Sequence, residues 1–189
     1  VIQPTSVTES FSLIFTSEIL NHILRCTNIK VRSLNSSPYP RNKGVFTIDE
    51  LKACIGVLLR AGADRDNFTD IDDLWKVSDS KPFYRATISK SRFKFFLVVV
   101  RFDDFRTREA RKSGDTLAAF SEVWELLYVQ FIKFYVPKEN VTVDEQLLGY
   151  RGRVPGKTYM PSKPRCKYGV KIFWICEADT GYALKGFIY

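Results

Sequence analysis

Apolar residues recur at intervals of three and four through most of the first 135 positions, and at intervals of two beyond position 140. The first spacing predicts helices and the second strands, because side chains return to one face every 3.6 residues in a helix and every second residue in a strand. Phe11 to Asn28 reads as one or two helices, with Ile19, Ile23 and Cys26 on one face and Leu20 and Leu24 beside them. Thr47-Ile48-Asp49-Glu50 has the form of a capping box. It opens a helix whose apolar face would be Leu51, Cys54, Ile55, Leu58 and Leu59, closed by Gly62. Ser89 to Val100 places Phe93, Phe96, Leu97 and Val100 at helical intervals, although its valines would also suit a strand. The most regular pattern runs from Asp115 to Tyr135, through Leu117, Phe120, Trp124, Leu127, Phe131 and Phe134, and Pro137 stops it. We read this aromatic stripe as a packing seam, with dimerisation through it as the alternative use. Leu34–Gly44 and Ala61–Asp70 read as loops.

After Pro137 the period changes. Val141 and Val143 alternate with Thr142, Asp144 and Gln146, and Val170, Ile172, Trp174 and Cys176 alternate with Lys171, Phe173 and Ile175. Ala178-Asp179-Thr180-Gly181 is a turn into a third strand, Tyr182–Tyr189. The expected fold class is therefore α+β: a helical region over 1–138, then a three-stranded antiparallel meander over 139–189.

Charge adds a direction. The formal net charge is +8, and it is unevenly spread. Residues 49–80 hold eight acids against four bases, whereas residues 81–112 hold ten bases against three acids. A positive patch at 81–112 would attract phosphate backbones; a solvated helix face is the equally weighted alternative. Composition excludes other classes. The longest apolar run, Phe95–Val100, is too short to cross a bilayer, so no membrane partner is expected. Cys26, Cys54, Cys166 and Cys176 have no C-x-x-C spacing and His22 is the single histidine, which argues against structural zinc. Since Val1 is not an initiator and no leader pattern follows it, the sequence is expected to be a fragment or a processed product.

The candidate chemistry lies at 141–171. Asp144 and Glu145 sit within an apolar alternating strand, on opposite faces, and from Gly149 to Lys171 there are seven Lys or Arg and no acid. A strand-end carboxylate beside a positive surface suits a divalent cation acting on a polyanion. Without further information Asp144 and Glu145 read as ordinary strand charges. His22 reads as neither ligand nor catalyst, and Trp75, Trp124 and Trp174 as core.

This segment resembles the start of the catalytic domain of piggyBac-family transposases. The resemblance rests on Thr142, Asp144, Glu145, Gln146, Leu147, Arg151, Gly152 and Arg153, then Tyr159, Pro161, Lys163, Pro164, Lys167, Tyr168, Gly169 and Lys171. The stretch Pro164-Arg165-Cys166-Lys167 carries one residue more than the family pattern. Upstream, Thr27-Asn28, Glu50-Leu51-Lys52, Leu74-Trp75, Ser91-Arg92-Phe93 and Arg101-Phe102-Asp103-Asp104 fit the same family, so the resemblance runs from about Phe11 to Tyr189.

The resemblance implies that 1–138 serves dimerisation and DNA binding and that 139–189 starts an RNase H-like domain. It implies a nuclear protein that cuts and joins double-stranded DNA (transposon ends and target) by phosphoryl transfer with Mg²⁺ held by three Asp carboxylates, as a possible homodimer. Asp144 would be the first of these acids, both catalytic residue and metal ligand, and Arg151, Arg153, Lys163 and Lys167 would hold DNA. The other two acids lie further along the family pattern, so this chain is expected to be catalytically incomplete. The alternative is a domesticated, non-catalytic DNA-binding or interaction protein derived from a transposon. A basic helical RNA-binding domain comes third, since no RNA-recognition motif is present. The strand bearing Asp144 is further expected to be a sheet edge with uncovered apolar side chains.

Overall fold

A computed structural model describes residues 4–35, 44–78, 81–150, 152, 157–163 and 166–189. Its helices are α1 Val7–Ile14, α2 Ser17–Asn35, α3 Ile48–Ala63, α4 Ile71–Leu74, α5 Pro82–Thr87, α6 Lys90–Val99, α7 Arg108–Arg111 and α8 Ser121–Lys133, with a 3₁₀ turn at Asp66–Phe68. The strands are β1 Val141–Gly149, β2 Thr158–Tyr159, β3 Tyr168–Glu177 and β4 Ala183–Ile188. None of the described helices is long and apolar enough to cross a membrane. The chain is α+β as expected, with a fourth, two-residue strand added to the meander. Two compact units form, Leu20–Thr107 and Val1–Ile19 with Arg108–Tyr189. The switch from helix to strand still falls between Lys133 and Val141, where the period changes.

In the Leu20–Thr107 unit the core is α2, α3 and α6, through Ile23, Cys26, Leu51, Cys54, Phe93 and Phe96, all at most 3% exposed. Caps start these helices. Thr47 Oγ1 accepts the Glu50 N–H at 3.2 Å while Glu50 Oε2 accepts the Thr47 N–H at 3.0 Å, completing the expected capping box. Ser89 caps α6, and helix rather than strand wins at 90–99 because Phe93, Phe96 and Val99 reach one core together. Leu58 and Leu59, expected on the buried face of α3, are 47% and 56% exposed, and Val57 is buried instead. Gly62 lies inside α3 and does not close it.

The scattered dipeptides of the resemblance are packing partners of one another. Asn28 Oδ1 accepts the Phe46 N–H at 2.7 Å and its Nδ2 donates to the Phe46 carbonyl at 2.9 Å. Thr27 Oγ1 accepts the Arg101 N–H at 3.2 Å, and His22 Nε2 donates to the Phe102 carbonyl at 2.8 Å. Arg92 grips Glu50 through Nε and Nη2, both at 2.8 Å, donates to the Gly44 and Val45 carbonyls, and stacks on Phe46. These bonds satisfy backbone groups that the connections into α3 and out of α6 would otherwise leave unpaired.

In the other unit β3 is central: β1 pairs antiparallel along one of its edges from Val141↔Glu177 to Gly149↔Gly169, while β2 and β4 share the opposite edge. Helix α8 packs on β4. It starts at Ser121, later than the pattern from Asp115 predicted. Asp115 accounts for the delay: its carboxylate accepts the Leu117 N–H at 2.8 Å and the Ser121 hydroxyl, holding 115–120 in turns. Leu117 and Phe120 therefore leave the expected stripe, and Val123 becomes its most buried member.

Candidate functional site

The site grows from the β1–β3 pair. These backbones approach so closely at Gly169 that a Cβ there would lie 2.0 Å from the Leu148 carbonyl oxygen, so only glycine fits. That approach fixes the register Asp144↔Trp174, placing the Asp144 carboxylate and the Trp174 indole on one face of the sheet. Trp174 is locked from two sides. Its Nε1 donates to Gln146 Oε1 at 2.8 Å, and its ring meets Trp124 of α8 at 5.5 Å between centroids. Trp124 in turn donates to the Gly186 carbonyl at 3.0 Å.

Asp144 is exposed; its Oδ1 accepts the Glu145 N–H at 2.7 Å, and the carboxylate otherwise faces solvent. It opens onto a shallow hollow of about 500 Å³ lined by Gln146, Lys163, Trp174, Cys176 and Ala183, among others.

Glu145 points to the opposite face and is committed there. Its Oε2 pairs with Lys171 Nζ at 2.7 Å, and Lys163 Nζ stands 4.0 Å from its Oε1 and 3.5 Å from its backbone carbonyl. Lys171 also covers the Phe173 ring at 4.4 Å. Glu145 also contributes to the lining of the hollow, but it serves there as counter-ion to two lysines, whereas Asp144 has no ion pair among the described residues. Of the residues expected to hold DNA, Lys163 is half-buried against Glu145 and Lys167 is exposed at the start of β3. Arg151 and Arg153 lie outside the described residues.

A divalent ion needs several oxygen ligands. Among the described residues no group of three or more His, Cys, Asp or Glu comes together. Among the described residues Asp144 is thus an exposed carboxylate with oxygens to offer, and no cluster of three such side chains surrounds it.

Part of the basic run at 81–112 is paired with acids of the same unit. Lys81 bridges Asp64 at 2.7 Å and Asp66 at 2.9 Å; Lys90 and Lys94 both reach Asp72; Arg92 takes Glu50; Arg106 takes Asp104. Four acids of the 49–80 segment, Glu50, Asp64, Asp66 and Asp72, are thus counter-charges to bases of this run. The lysine bonds hold the carboxyls of Asp64 and Asp72 below the usual range, the Tyr84 hydroxyl and then Lys81 do so for Asp66, and the Arg106 guanidinium takes Asp104 to about 2.

Sequence reasoning missed two features. Trp174, read as core, forms a wall of the hollow beside Asp144; its parity on β3 was visible, but the register that joins it to Asp144 was not. Tyr159 and Tyr168 form an exposed cross-strand pair, 4.7 Å between ring centroids, which the two-residue length of β2 concealed.

Comparison with known proteins gives two matches. A family profile described as Transposase IS4 matches residues 6–189. Among solved structures, the chain is similar to piggyBac transposase in a cryo-electron microscopy structure of its synaptic complex with hairpin DNA, with a TM-score of 0.87 and 35% identity over 95% of this chain. The chain spans 37% of that protein's length.

Proposed function

Since this chain belongs to the family described as Transposase IS4, we propose that it is the DNA-facing, early portion of a piggyBac-type cut-and-paste transposase acting in the nucleus. In this reading the helical part, 1–138, serves DNA binding and self-association, and 139–189 supplies the first strands of an RNase H-like catalytic domain. One observation carries the proposal: the sheet presents a single solvent-facing carboxylate, Asp144, beside an indole-walled hollow, while its neighbour Glu145 is neutralised by lysines.

A divalent cation such as Mg²⁺, when bound, would stabilise the charge that builds on a transferring phosphoryl group. Asp144 would supply one oxygen ligand to it, and Trp174 with Gln146 would keep the strand carrying that carboxylate in place. Lys167, together with Arg151 and Arg153, would attract DNA phosphates, and Lys163 would do so in exchange with Glu145. Because Asp144 alone cannot fix two ions about 4 Å apart, the chain itself would bind DNA without cutting it.

The purified chain tests this against supercoiled plasmid and labelled duplex with Mg²⁺ or Mn²⁺. The expected result is weak, salt-sensitive binding with no nicking. Replacing Arg151, Arg153, Lys163 and Lys167 together by Ala should reduce affinity and flatten the salt slope. Absence of duplex binding would contradict the proposal, and metal-dependent nicking lost in Asp144→Ala would contradict the incompleteness.

A further inference from the structure

We propose that Tyr159 and Tyr168 form a stacking platform for the unpaired bases of a DNA single strand. The inference rests on the DNA-handling reading above and adds a ligand class to it: exposed bases, as distinct from duplex phosphates.

The pair faces outward. Tyr159 and Tyr168 are directly opposite in the β2–β3 register, their centroids 4.7 Å apart and their planes tilted by 35°. They are 52% and 54% exposed, so burial does not explain two large aromatic side chains at this end of the sheet. Cross-strand pairing contributes to the register, yet it leaves about half of each residue's surface exposed. Cations flank them: Lys157 Nζ stands 5.8 Å from the Tyr168 ring centroid, and Lys167 is exposed next in sequence. Aromatic faces beside cations that track a backbone are what sequence-tolerant single-strand binding requires, because every base offers a π-face.

Position on the sheet gives the platform a direction. Tyr168, Val170, Ile172 and Trp174 share one face of β3 by alternation, and Asp144 stands opposite Trp174 on that face. The platform and the carboxylate are thus on the same face, six residues or roughly 20 Å apart along β3.

The test measures, by fluorescence anisotropy, affinity of the full chain for three labelled oligonucleotides: a 12-nucleotide single strand, the same length of abasic backbone, and a 12-base-pair duplex. Wild type should bind the base-bearing strand at least about fivefold more tightly than the abasic one, the lower end of what one stacked base is worth. Tyr159→Leu and Tyr168→Leu should each remove that advantage and leave duplex affinity within about twofold, since duplex binding rests on phosphates. Tyr159→Phe and Tyr168→Phe should retain it. Equal wild-type affinity for abasic and base-bearing strands, with duplex still bound, would overturn the platform and leave the DNA-handling reading standing. Failure to bind any of the three would overturn both. The abasic comparison needs no variant, so a misfolded substitution cannot mask the answer.

Discussion

Arg92 shows how much one side chain holds in this fold. Its guanidinium joins the Glu50 carboxylate, two carbonyls of the segment entering α3 and the face of Phe46, and its side chain is 16% exposed. Removing it leaves those carbonyls and the half-buried Glu50 charge without their partner. Arg92→Ala should therefore cost about 2–4 kcal/mol in urea denaturation. Arg92→Lys should recover little, since an ammonium can neither fork across the carboxylate nor stack in the same way. Gly186 is the counterpart in the sheet: a Cβ there would meet Trp174 at 2.5 Å and Trp124 at 2.7 Å. Gly186→Ala should cost about 1–3 kcal/mol and shift the tryptophan emission, because both indoles must move. Neither role could be read from local sequence. Arg92 reads as one more base in a basic run, and Gly186 as a glycine in a strand, until partners 42 and 62 residues away are in place.

At the scale of elements, legibility followed how local the cause was. The α3 capping box and the alternation of β1 and β3 are decided within a few residues, and both were visible. The start of α8 was not, because Asp115 competes for the backbone that the apolar spacing assigned to helix; nor was β2, which exists only through pairing with β3. The outer face of α3 misled for a third reason, as Leu58 and Leu59 keep helical spacing while exposed.

Strand β1 carries a prediction of its own. Among the described residues it pairs with β3 alone, and Val141, Val143 and Leu148 are 53%, 66% and 47% exposed. An antiparallel partner on one side satisfies only alternate backbone groups, and a bare apolar edge invites another strand. In hydrogen exchange Val141–Leu148 should exchange faster than Val170–Cys176. Raising the protein concentration should slow exchange at β1 specifically. Equal protection of both strands at low concentration would mean that the β1 edge is covered.

For the molecule as a whole, charge segregation in the sequence becomes internal pairing in the Leu20–Thr107 unit, and this sets its pH response. Asp64, Asp66, Asp72 and Glu50 have folded pKa values below their ordinary ones because of hydrogen bonds from Lys81 and Arg60 to Asp64, from Tyr84 and Lys81 to Asp66, from Lys94 and Lys90 to Asp72, and from Arg92 to Glu50, and Asp104 lies at about 2. The unfolded chain thus takes up protons first on acidification. Stability from these pairs is complete above the ordinary carboxylate range and is lost as pH falls through about 4 toward 2. Burial raises the Cys54 thiol and the Tyr84 phenol, each to about 12, the latter helped by its bond to Asp66. Both are neutral in the folded chain, so their contribution is full below their ordinary values of 9.0 and 10.0 and declines as pH climbs toward 12. Urea midpoints should accordingly be highest at intermediate pH and fall on both sides.

Of the candidate site, the face on which Asp144 lies was legible from alternation and the basic run from composition, whereas a metal role for Asp144 was implied by the resemblance alone. The commitment of Glu145 to Lys171, and the sharing of one face by Asp144, Trp174 and Tyr168, required the β1–β3 register. On the proposed function, this face meets DNA at Asp144. The most direct measurement places a benzophenone photo-crosslinker at position 144 and, as a control, at Phe187, which is exposed on β4 and by alternation lies on the opposite face of the sheet. Irradiation with labelled DNA should crosslink from position 144 in a salt-sensitive manner and not from position 187. DNA that binds yet fails to crosslink at 144, or crosslinks equally from both positions, would contradict the account.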